Sequence, residues 1–324
     1  MPQLIELDKL VINVLVDNMT DSYSSKPECV SPEFTNVVDA GAKELSGKTL
    51  CCAQLGFSVM LEGFVGEKRH KMLFDAGPEG DLWLRNSKNL GVELSDVEAV
   101  GISHGHWDHM GALTVALDNI TDGKRTVPCH VNPGMFLERG ARLGDGRVVP
   151  FENVPSPERL AESGAVVVNE FGERTLLDDY FYLSGEIPRV SSFEKGRLDH
   201  LSRESADAEW QPDPYLMDER YLACHLKDKG IVVFSSCSHA GIVNVLESLR
   251  TTFSGIPIYA VIGGLHLVGS LEKIIPDTIE SMKSFAPKMI VPAHCTGWRA
   301  QYALIEAFGK EVVVPCAVGS RYTL

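Results

Sequence analysis

The densest chemistry in the chain lies in Ser103-His104-Gly105-His106-Trp107-Asp108-His109, where four ligand-type side chains fall within six consecutive positions. Crowding imidazoles and a carboxylate together is costly unless something neutralises and bonds them, and a divalent cation does both. In an extended loop His104, His106 and Asp108 point to one side, and a helix start after them turns His109. Such a segment can feed two adjacent metal ions. Three further histidines share one context, each following an apolar run: His239 in VVFSSCSHAG, His266 in AVIGGLHLVG and His294 in MIVPAHCTG. Small residues beside them allow close approach, and together they favour ligands. His70, His130, His200 and His225 lack that context. His70 is expected in a hairpin turn and His225 within a strand, so neither is expected to bind metal.

A site gathered from such distant positions needs strand ends to assemble it. Residues 97–102 read as a buried strand opening into the histidine-rich loop, and 112–117 as a helix start. Upstream, 11–16, 49–64 and 71–74 are β-rich runs, with 66–69 as a hairpin connection and 82–90 as a helix ended by Gly91. From about 122 to 218 repeated prolines break up mixed stretches, which reads as an insertion within a single domain spanning 1–324. Residues 221–226 and 231–235 then form a hairpin. Helices at 243–250, 275–285 and 300–308 alternate with strands at 258–262, 289–291 and 312–315. Strands first, then alternating β and α, argue for an α/β fold of layered sheets covered by helices.

Composition narrows the function. The 324 residues are 44% hydrophobic and 23% charged, which supports a packed core rather than disorder. A formal charge of −14 opposes partners that need a basic face, so neither nucleic acid nor a membrane surface is expected. No signal-peptide or membrane-span pattern is present, and the eight cysteines lack the spacing of a disulfide framework or zinc ribbon. Reduced, mostly buried thiols in a cytoplasmic protein are expected. A homodimer is compatible with these features.

The H-x-H-x-D-H loop resembles the signature of the metallo-β-lactamase fold superfamily. More narrowly, the chain is similar to the dihydropteroate-synthase-like, or dihydropterin ribofuranosyl-aminobenzene phosphate synthase-like, branch. The segments carrying that match are Gln54-Leu55-Gly56-Phe57-Ser58, Leu73-Phe74-Asp75-Ala76-Gly77, Gly185-Glu186-Ile187-Pro188-Arg189, Cys237-Ser238-His239-Ala240-Gly241-Ile242, Gly263-Gly264-Leu265-His266-Leu267 and Pro292-Ala293-His294-Cys295-Thr296-Gly297. The resemblance implies an αββα sandwich with two divalent metal ions at one sheet edge. His104, His106 and His239 would hold one, and Asp108, His109 and His294 the other. Where many relatives place a metal-bridging aspartate, this chain has Gly263-Gly264-Leu265-His266, and a neutral imidazole cannot bridge as a carboxylate does. Either His266 is a terminal ligand or substrate contact, or the second metal is held weakly. Asp75 would accept from a ligand imidazole and fix its tautomer.

Zinc is the default with these nitrogen and oxygen ligands, and iron or manganese also fit. A metal-activated hydroxide, with Asp108 orienting the water or accepting its proton, suits hydrolysis of a small-molecule ester, lactone, thioester or phosphodiester. No G-x-S-x-G elbow or phosphate-binding P-loop offers another mechanism. The insertion, rich in aromatics with Arg189, Lys195 and Arg197, reads as a lid for a ring-bearing, anionic small molecule, with Arg189 as the anion contact. The leading expectation is therefore a metallo-hydrolase. Its alternatives are a metal-dependent synthase or lyase acting on a pterin- or phosphate-containing substrate, and a non-catalytic ligand or metal sensor.

Overall fold

The computed structural model describes residues 2–324. Two large sheets face one another. One runs, in spatial order, through Ala165–Asn169, Val127–Val131, Ala99–Gly101, Lys68–Phe74, Ser58–Val65, Lys9–Val16, Arg321–Thr323 and Val30–Ser31. The other runs through Arg174–Leu176, Phe181–Leu183, Leu222–Leu226, Gly230–Ser235, Ile258–Gly264 and Met289–Ala293, with Glu6–Leu7 pairing beside Leu222–Leu226. Alternate side chains of a strand face opposite ways, so each sheet contributes to two cores. Met72 and Phe74 point into the shared inner core while Leu73 packs outward, and Val232 and Phe234 point inward while Ile231 and Val233 pack outward. The helices Ile242–Thr252, Ile275–Lys283 and Trp298–Phe308 cover the second sheet, and Gly80–Asn89 and Leu113–Thr121 cover the first. The result is an α/β sandwich of αββα layers.

Several local readings need correction. The β-rich run expected from residue 49 starts only at Ser58. Before it, the Cys51 and Cys52 amides donate to Glu33 Oε1 (2.6 Å) and Asn86 Oδ1 (2.8 Å), side-chain partners that replace a ladder. His70 lies inside Lys68–Phe74, because the hairpin turns at Gly66-Glu67. Residues 312–315 make a single bridge, Ile290 to Val313, and the terminal strand Arg321–Thr323 joins the first sheet instead. The 122–218 span is not one appended lid. Four of its strands extend the two large sheets, and the separate part is a small sheet of Gln211–Pro212, His200–Arg203, Glu138–Arg142 and Val148–Pro150. All eight cysteines are free thiols. Among the described residues no helix is long and apolar enough to cross a membrane.

Strand direction places the chemistry. Lys68–Phe74 and Ala99–Gly101 are parallel, as are Gly230–Ser235, Ile258–Gly264 and Met289–Ala293. Their C-terminal ends therefore open onto one edge of the sandwich, where side chains from both sheets can converge.

Candidate metal centre

Each ligand segment begins just past one of these strand ends. Asp75 follows Phe74, His104 to His109 follow Gly101, His239 follows Ser235, His266 follows Gly264 and His294 follows Ala293. Asp75, Ser238, His266 and His294 have φ between 45° and 55°, the left-handed region that costs roughly 1–2 kcal/mol for a residue with a Cβ. Strain of this kind persists where the surroundings over-determine it.

Two triads result. His104, His106 and His239 present ligand atoms within 4.8 Å of one another, and so do Asp108, His109 and His294. Hydrogen bonding fixes which nitrogens are free. Ser103 Oγ donates to Asp75 Oδ2 (2.7 Å) and so accepts from His104 Nδ1 (2.9 Å), which puts the lone pair of His104 on Nε2, 3.1 Å from His106 Nδ1. His109 Nδ1 donates to Asp75 Oδ2 at 2.7 Å and leaves its Nε2 free in the same way. His106 Nε2, His109 Nε2 and both ring nitrogens of His239 are buried without a hydrogen-bond partner. Each such atom costs about 1–3 kcal/mol if nothing binds it, so the donor set fits divalent cations.

The electrostatics suit that role. Burial holds the His104, His106 and His239 imidazoles well below the ordinary histidine range, hence neutral and ready to ligate. Burial opposes ionisation of Asp108, but His109 and His294 outweigh it and hold the carboxyl below its usual range. Burial likewise opposes protonation of His294, yet Cys295, Asp108 and Asp17 push it up to about 9.

Four buried carboxylates hold these segments in place, and three of them have no signal in the sequence motifs. Asp75 also accepts from the Ser103 amide (2.7 Å). Asp17 accepts from the His294 amide (2.8 Å), and Glu219 from those of His239 and Ala240 (2.8 and 2.6 Å). Asp218 accepts from the Gly105 amide (2.9 Å) and pairs with the buried Arg139 (2.7 Å), which donates to the Gly105 carbonyl. Gly105 has no alternative here, because a Cβ would lie 2.0 Å from the Met135 carbonyl oxygen.

Above the triads is a cavity of about 420 Å³, a size suited to a small molecule. Phe151, just past Val148–Pro150, and His200 of the small sheet reach its wall and sit edge-on to His106, with ring centroids 5.5 and 5.4 Å away. His200 carries no signal in the sequence, because it follows no apolar strand end. His266 lines the cavity outside both triads, with Nδ1 3.1 Å from Cys237 Sγ and Nε2 3.3 Å from Arg197 Nη1. Arg189 is not the anion contact expected of it. Its guanidinium is spent on the carbonyls of Ile187 (2.9 Å) and Tyr215 (2.5 Å), away from the cavity. Arg197 reaches the cavity instead.

Comparison with known proteins points the same way. The model of the metallo-β-lactamase superfamily matches residues 57–173, so that part of the chain is similar to this family. It is 27% identical over 263 residues to the 7,8-dihydropterin-6-methyl-4-(β-D-ribofuranosyl)-aminobenzene-5′-phosphate synthase of Methanocaldococcus jannaschii, covering 80% of this chain and 86% of that one. It is 29% identical over 249 residues to uncharacterized protein MJ0448 of the same organism, covering 76% and 86%. Among solved structures it is similar to Tm1679, described as a metal-dependent hydrolase of the β-lactamase superfamily, with a TM-score of 0.70 at 22% identity over 97% of this chain and 98% of that one. YhfI from Bacillus subtilis gives a TM-score of 0.51 at 10% identity, over 98% and 100%. These two likenesses concern the fold. The expectation of a metallo-hydrolase is overturned by the named relative, which is a synthase. The scaffold that suggested hydrolysis hosts more than one chemistry, and a fold does not fix its reaction.

Proposed function

We propose that the chain is a metal-dependent synthase acting on a pterin- and phosphate-containing pair of small molecules. The observation that carries this is the 27% identity, over most of both chains, to the dihydropterin synthase. The cavity supports it. Phe151 and Trp107 offer apolar faces for rings, and Arg197 offers a cation for phosphate. Asp199 takes Nε and Nη2 of Arg197, so the Nη1 edge is the one turned to the cavity. The small sheet that supplies His200, with Phe151 just past one of its strands, acts as a lid that excludes water.

In this reading His104, His106 and His239 hold one cation and Asp108, His109 and His294 a second, with zinc proposed and iron or manganese as alternatives. When bound, the cations supply Lewis acidity toward a departing oxyanion. The bond formed joins the aminobenzene nitrogen to the 6-methylene carbon of the dihydropterin. The carbon–oxygen bond to the leaving group breaks and its electron pair leaves with the oxygen. Asp108 Oδ2 faces His294 Nε2 (3.4 Å), and its other oxygen is the acceptor for the proton lost by the amine.

The test incubates zinc-, iron- or manganese-loaded protein with a dihydropterin bearing an activated 6-methylene group and a ribofuranosyl-aminobenzene phosphate. Mass spectrometry should find the joined product, lost with His239→Ala. Metal-replete protein that forms no joined product with any of the three metals would overturn the reading.

A further inference from the structure

Cys237 sits where the two triads meet, and neither uses it. Its Sγ lies within 4.8 Å of the ligand atoms of both His104 and His109, one from each triad. Ser238, next to it, is held in the left-handed region (φ 45°) by a hydrogen bond from its Oγ to the Gly264 carbonyl (2.7 Å), which fixes Cys237 and His239 together.

One hydrogen-bond relay reaching this sulfur has a fixed direction. A guanidinium donates and never accepts, so in the 3.3 Å contact Arg197 Nη1 donates to His266 Nε2. A neutral imidazole that accepts at Nε2 carries its proton on Nδ1, and that Nδ1 faces Cys237 Sγ at 3.1 Å. Cys295 Sγ lies 3.0 Å from Cys237 Sγ on another side, a contact in which either sulfur can be the donor, and it also reaches the Cys237 carbonyl at 3.5 Å. The Arg197–His266 relay thus ends with Cys237 Sγ as its acceptor. Gly264 leaves the space this requires, since a Cβ there would stand 2.6 Å from Cys295 Sγ.

We propose that Cys237, as a thiolate, is a metal ligand shared by the two triads. It supplies the anionic ligand between the cations that the Gly263-Gly264-Leu265-His266 segment does not, while His266 and Cys295 position it without touching metal. Binding expels the thiol proton to solvent. A sulfur donor biases the centre toward thiophilic divalent ions such as zinc or iron and away from magnesium.

The proposal rests on the reading that the triads hold cations, and cobalt(II) separates the two. Full-length protein is titrated with cobalt(II) under reductant, with visible ligand-field bands reporting binding and a near-ultraviolet thiolate-to-cobalt band reporting sulfur. Both are expected. Cys237→Ser should abolish the near-ultraviolet band, keep ligand-field bands, and weaken binding by at least the ~10–100-fold that loss of an outer hydrogen-bond partner costs. Cys295→Ser should keep both. No ligand-field bands would sink the cation reading itself. Ligand-field bands without the thiolate band, or a thiolate band lost in Cys295→Ser but kept in Cys237→Ser, would overturn the role of Cys237. X-ray absorption on zinc-loaded wild-type protein needs no variant: a sulfur scatterer near ~2.3 Å supports the proposal, and nitrogen and oxygen alone overturn it.

Discussion

The His104–His106–His239 triad and the Asp108–His109–His294 triad lie side by side, yet they balance charge differently. The first contains only imidazoles, kept neutral by burial, and its backbone is held at Gly105 by the Asp218–Arg139 pair. The second contains its own carboxylate. His294 is raised to about 9 beside Asp108, and His109 is oriented by Asp75. Without a cation both triads keep unsatisfied ring nitrogens, His109 Nε2 among them, but only the second also closes an internal ion pair, Asp108 with His294. Protein charge alone therefore prepares one half of the centre for a cation and partly shields the other half from it.

The largest effect expected on this contrast is structural. Asp218→Ala removes the nearer partner of the buried Arg139 and leaves it only Asp213, 3.5 Å away, and should cost about 3 kcal/mol in calorimetric or denaturant unfolding, with metal lost first from the His104 triad. Removing a ligand comes next. His239→Ala and His294→Ala should each lower the rate of product formation by about 10²–10³-fold, the equivalent of several kcal/mol of Lewis-acid stabilisation. Equal metal retention in both variants and wild type would break the two-triad assignment. Asp75→Asn is smaller, about 10–100-fold in metal affinity, and should fall mainly on the His109 triad.

The smallest effect is in pH. In His239→Ala, which leaves the Asp108 triad, a cation must displace the proton of His294. Affinity should then rise about tenfold per unit from pH 7 toward 9 and level above it. In His294→Ala, which leaves the neutral imidazoles, the His294 proton is absent from the exchange, so titration calorimetry should show a pH slope shallower by about tenfold per unit over that window. Parallel slopes would remove the distinction.

Much of the site was legible because its residues are local or share a context. His104 to His109 are contiguous after a strand, and His239, His266 and His294 repeat the same strand-end setting. Asp17, Asp218 and Glu219 were not legible. They look like ordinary turn acids, and only the tertiary fold turns them onto backbone amides. Arg189 and Arg197 were indistinguishable as cations, since what separates them is whether the guanidinium is spent on carbonyls or faces the cavity. His200 depended on how the small sheet folds back. At the fold level, the run at 312–315 has strand composition but finds only one partner bridge, while the short 321–323 segment finds two partner strands.

Anomalous diffraction from zinc-soaked crystals of the full chain tests the two-triad assignment most directly. Peaks are expected within bonding distance of His104, His106 and His239 and of Asp108, His109 and His294. Peaks at neither triad, or metal held only elsewhere on the surface, would contradict it.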